Sequence, residues 1–94
     1  MKAAYPVVLT KGESHIVAYV PDFRINTEGS DLADALEMAR DAIGITGVDI
    51  EDAGEPIPAP SAVEEVAAAY PQATVTQVEV DFAAYRRKNG LPPT

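Results

Sequence analysis

A single histidine, His15, and a complete lack of cysteine limit the chemistry open to this chain. One imidazole without a thiol excludes a Cys–His nucleophilic pair and most zinc sites, which draw on several nitrogen and sulfur ligands. Ser14 precedes His15 directly, but neighbours in a strand point to opposite faces and are badly placed to exchange a proton. The sequence holds no G-x-G-x-x-G, no phosphate-binding P-loop and no H-E-x-x-H. Acids are plentiful, and two-metal hydrolysis would need several of them to converge from strands and a helix. The run Ala3 to Thr10 carries none. Asp31, Asp34, Glu37 and Asp41 instead share one later segment, mostly opposite its apolar positions. That pattern is the solvated outer face of a helix, or a patch for a basic partner. No catalytic residue, metal ligand or cofactor site is assigned. The sequence is that of a binding protein and not of an enzyme.

Charge points the same way. The chain has 94 residues, with 15 Asp and Glu against 7 Lys and Arg, and a formal net charge of −8. Affinity for a phosphate backbone comes mostly from Lys and Arg that displace counterions, so nucleic acid is a poor partner and a basic protein a better one. The length fits one domain. The absence of cysteine suits a reducing compartment. The first residues show no signal-peptide pattern, and no apolar run approaches the roughly 20 residues that span a bilayer. A cytoplasmic protein without a membrane segment is expected.

The elements that would position these residues can be read in order. Ala3 to Thr10 is apolar and β-branched, a strand that Pro6 places at an edge or near its start. Lys11 to Ser14 form a turn, and His15 to Val20 a second strand, giving a hairpin. Pro21 and Asp22 end it, and Arg24 to Glu28 return as a third strand. Ser30 or Asp31 caps a helix predicted over Asp31 to Ala53. Leu32, Leu36, Ala39 and Ile43 mark its apolar stripe, which extends through Gly47 to Ile50, and Gly54 is its stop. Gly44 and Gly47 weaken the helix but allow close approach to the sheet. Pro56, Pro58 and Pro60 stiffen an extended connector. Ser61-Ala62-Val63-Glu64 reads as a capping box for a short second helix that Pro71 closes. Val78, Val80 and Phe82 alternate with Gln77, Glu79 and Asp81 in a last strand, Thr74 to Phe82. The expected fold is α+β, in the order β-β-β-α-α-β, with the helices on one face of an antiparallel-rich sheet. Residues 1–85 form the domain, and the basic, proline-rich tail 86–94 is expected to fray.

Five segments together carry a family resemblance. They are Tyr5-Pro6-Val7-Val8; Val17-Ala18-Tyr19-Val20-Pro21-Asp22-Phe23; Asp34 to Ile43; Glu55-Pro56-Ile57-Pro58-Ala59-Pro60-Ser61; and Val78 to Lys88. In this order, over nearly the whole chain, they resemble the HicB-family antitoxins. The resemblance implies a degraded RNase H-like fold without its catalytic carboxylates, which binds and neutralises a small basic HicA-like toxin that cleaves mRNA. It also implies a type II toxin–antitoxin system. Two departures stand out. Many members carry a Pro-Gly pair after the Pro-Asp-hydrophobe motif, whereas Phe23 here leads into Arg24-Ile25-Asn26-Thr27-Glu28-Gly29, one residue shorter. Many also continue past the Tyr-Arg-Arg-Lys segment into a DNA-binding module, whereas this chain ends at Thr94. The toxin-contacting residues expected on this reading are Tyr19, Asp22, Phe23 and Glu28, on the second strand and beyond its exit, with Asp34 and Glu37 on the helix. Unpaired strand edges add an expectation of homo-oligomers. The competing reading is a solitary HicB-like domain that self-associates and has no toxin.

Overall fold

The computed structural model describes residues 2–93. Strand β1 (Lys2–Lys11) is followed by β2 (Ile16–Val20), β3 (Ile25–Gly29), helix α1 (Leu32–Asp52), helix α2 (Val63–Ala69), β4 (Thr74–Asp81) and helix α3 (Phe82–Lys88). The four strands form one antiparallel sheet in the order β3-β2-β1-β4. The α+β class and the order of the first six elements are as the sequence predicts.

Register explains how the sheet is covered. Tyr5 faces Val78, Leu9 faces Ala18 and Val20 faces Ile25. Partners across an antiparallel pair share a face, and this face meets Ala35, Ala39 and Ile43 of α1 in the core. Pro6, Val8 and Tyr19 alternate to the other face. There Pro6 and Val8 are buried, Val66 of α2 is buried, and the Tyr70 ring at the end of α2 lies 6.3 Å from that of Tyr19. One detail of the expected architecture therefore changes: α1 lies on one face and α2 on the other. The reason is visible in β1, whose residues Tyr5 to Leu9 are all buried. A strand apolar at successive positions needs cover on both sides.

β1 pairs with β2 only from Val8 to Lys11, but with β4 from Lys2 to Leu9. Its first half is thus an edge on the β2 side, where Pro6 is tolerated. The proline connector passes here. The Tyr5 hydroxyl donates to the Pro58 carbonyl at 2.7 Å, and Ile57 packs against the core. Asp22, in the β2–β3 turn, accepts from the Ser61 N–H and hydroxyl at 2.9 and 2.5 Å. This contact corrects the expected capping box. Ser61 is bound by a carboxylate 39 residues away, and α2 starts at Val63 with Ala62 as an N-cap that supplies no side-chain bond.

Helix α1 is bounded as its sequence predicts. The Asp31 carboxylate accepts from the Asp34 N–H, and Asp34 accepts in turn from the Ser30 N–H. At the other end Gly54 has φ +78°, its N–H donates to the Glu51 carbonyl and the Glu55 N–H donates to the Ile50 carbonyl, a Schellman stop. Within the helix the stripe holds at Ala39 and Ile43, but Leu32 is exposed and Ala35 lies deeper than Leu36. A methyl group at Gly44 would overlap the Tyr85 ring, and one at Gly47 the Phe82 ring. The glycines therefore seat α1 against the aromatic side chains of α3.

Helix α3 replaces the expected end of the last strand and the start of the fraying tail. Asp81 caps it by accepting from the Ala84 N–H at 3.0 Å. Arg86, read from the sequence as part of a basic tail, is buried. Its guanidinium donates to Asp52 at 2.9 Å, Glu51 at 3.1 Å and the Pro92 carbonyl at 2.8 Å. These bonds tie the segment after α3 to the end of α1. Thr94, the last residue of the expected tail, lies outside the described residues.

Candidate functional site

The six expected contact residues fall into three places. Asp22 and Phe23 sit in the β2–β3 turn and are engaged inward. Asp22 holds Ser61, and the Phe23 ring stands edge-on to Tyr5 at 4.8 Å, packed against the core. Phe23 is thus a structural contact before it is an anchor for anything else. Tyr19 lies half-buried on the α2 face beside Tyr70. Glu28, across the hairpin, accepts from His15 Nε2 at 2.7 Å.

Asp34 and Glu37 stand exposed on α1. Glu37 pairs with Arg40, whose Nε–H also donates to the Glu79 carbonyl at 3.1 Å. The structure brings Asp22 and Phe23 together and sets Asp34 and Glu37 one turn apart. It does not join the turn, Tyr19 and the α1 acids into one patch.

Titration behaviour follows packing. Burial, and then the nearby charge of Asp22, raise the Tyr5 pKa. Burial and the neighbouring Asp41 carboxylate raise that of Tyr85. The hydrogen bond from the Ala84 N–H holds Asp81 below the usual carboxylate range, with Arg87 and Lys2 adding to the effect. A hydrogen bond to Asp52 raises Arg86, with Glu51 adding to it.

None of these groups forms a constellation for acid–base or nucleophilic work. Among the described residues, no three His, Asp or Glu side chains come close enough to hold a metal ion. A groove of about 430 Å³ between α1, β4 and α3 is lined by Lys2, Arg40, Asp41, Tyr85 and Lys88. Its charges are of both signs and select no single ligand. No helix among the described residues is long and apolar enough to cross a membrane.

The surface that stands out chemically is the outward side of α1. Met38 and Ile45 are among the exposed large apolar residues, at 46% and 49% of full exposure. Around them are the exposed carboxylates of Asp34, Glu37, Asp41 and Asp49.

No family model and no curated protein matches the sequence. Solved structures do match. The N-terminal domain of the Burkholderia pseudomallei antitoxin HicB superposes with a TM-score of 0.76 at 29% identity, covering 83% of this chain and 98% of that one. The chain has the fold of the HicB antitoxin N-terminal domain. A structure of the Burkholderia pseudomallei antitoxin HicB itself gives a TM-score of 0.77 at 26% identity over 98% of this chain and 70% of that chain. A toxin–antitoxin complex from Streptococcus pneumoniae contains the same fold, with a TM-score of 0.78 at 19% identity, 98% of this chain and 91% of the other. The likeness to the HicB antitoxin, over 98% of this chain, runs through β4 and α3, so the segment beyond Phe82 belongs to the shared fold.

Proposed function

We propose that this HicB-like chain is the antitoxin of a type II toxin–antitoxin system and neutralises a small, basic, HicA-like mRNA-cleaving toxin. The observation that carries the reading is the likeness, at 29% identity, to a complete HicB N-terminal domain. A toxin–antitoxin complex among the structural matches supports a toxin as the partner. Charge supports it as well. At −8 the chain attracts a positively charged ribonuclease over a distance and speeds encounter, an effect that salt weakens.

The chain acts by covering the toxin and carries out no reaction itself. It works in the cytoplasm, where mRNA is cleaved. Strands β3 and β4 are the sheet edges, and pairing along one of them would give a homo-oligomer. Of the expected contact residues, Asp34 and Glu37 of α1 belong to the contact surface, whereas Tyr19 lies on the α2 face and Glu28 pairs with His15. Asp22 and Phe23 keep the β2–β3 turn in shape. The test is to look beside this gene for a small basic open reading frame and co-express its product with this chain; absence of such a frame would count against the reading. Growth arrest by that protein alone, relieved by this chain, is the expected result. A toxic neighbour that this chain neither binds nor silences would overturn the reading and favour a solitary self-associating domain.

A further inference from the structure

Asp34, Met38, Asp41, Ile45 and Asp49 follow one another at steps of four, three, four and four. On a helix of 3.6 residues per turn this is a single row. It lies opposite Ala35, Ala39, Ile43 and Gly47, which are buried. All five members of the row are exposed, Met38 and Ile45 at nearly half their surface.

We propose that this row is the docking surface for a basic protein, with Met38 and Ile45 as its apolar centre and Asp34, Asp41 and Asp49 as its charged rim. The proposal rests on the antitoxin reading and gives that toxin a place to bind. Large apolar side chains framed by polar groups have the composition of an interface centre and rim. The sign of the rim selects the occupant. Three carboxylates beside the two apolar residues repel nucleic acid and also repel a second copy of a chain with net charge −8. They attract a surface of Lys and Arg. The row itself contains no Lys or Arg; Asp41 also borders the groove lined by Lys2, Arg40 and Lys88, so Asp34 and Asp49 are the row's least compensated acids.

The experiment measures association and dissociation rates of the full chain with the small basic neighbouring protein, at several salt concentrations. Variants M38S/I45S, D41K/D49K and, on the opposite face, E64K/E65K are compared after circular dichroism has confirmed their folding. M38S/I45S should speed dissociation by about tenfold or more with little change in association. D41K/D49K should slow association and flatten its salt dependence more than E64K/E65K, although both pairs change net charge equally.

Unchanged dissociation for M38S/I45S, together with equal effects of the two charge reversals, would overturn the docking surface while native binding still supported the antitoxin reading. A change in self-association alone would assign the row to a second copy and overturn the proposal. Absence of native binding would overturn both.

Discussion

Gly47 shows how a residue can matter by what it lacks. By helix propensity, Gly47→Ala within α1 would gain about 1 kcal/mol. Its Cβ would overlap the Phe82 ring, and overpacking a filled core costs about 1–3 kcal/mol. The packing term should win, and urea unfolding should show a lower midpoint for Gly47→Ala. Arg24 makes the converse case. It holds φ at 55°, a left-handed conformation that costs an L side chain about 1–2 kcal/mol. Arg24→Gly should therefore raise stability, by about 0.5–1 kcal/mol after the entropy cost of glycine. A raised midpoint in the same assay is the expected outcome. Arg24 lies in the turn after Phe23, where the sequence resemblance leads one to expect a Pro-Gly pair. The resemblance exposed that departure in sequence, and the positive φ gives it a physical meaning.

Helix α3 was the element least legible in sequence. Val78, Val80 and Phe82 alternate as one strand would, so the change from strand to helix at Asp81 is hidden in the periodicity. Arg86 looks like a free tail cation until the carboxylates of Glu51 and Asp52 are brought to it across 35 and 34 residues. Ser61 misled for a similar reason, since its partner Asp22 is distant in sequence. By contrast, α1 could be read closely, because its Asp31 cap and Gly54 stop act locally. The cap of α3 has a pH signature. The folded-state pKa of Asp81 is lowered by its bond from Ala84, so its contribution is fully present above the ordinary carboxylate pKa of about 4. That contribution is lost as pH falls through the lowered value. Amide exchange at Ala84, followed from neutral pH to pH about 3, should lose protection in the native chain. Asp81→Asn, whose amide oxygen still accepts, should show a smaller pH dependence. Identical profiles would contradict this role for the cap.

For the whole molecule, a charge of −8 is spread over a sheet covered on both faces, with the outer row of α1 uncovered. The acids at Asp34 and Glu37 were legible as an outward helical face because they avoid the apolar stripe. The apolar members Met38 and Ile45 were not singled out, since one sequence does not say which off-stripe apolar residues stay exposed. Nor could it place Phe23 against Tyr5, a contact made only when the β2–β3 turn folds over the core. The central claim is that this chain silences a basic ribonuclease by occupying it. The most direct measurement titrates the purified chain into the small basic ribonuclease proposed as its partner while RNA cleavage is followed at moderate salt. Cleavage should fall to background at a fixed molar ratio, with inhibition weakening as salt rises. Full cleavage in the presence of excess folded chain would contradict the account.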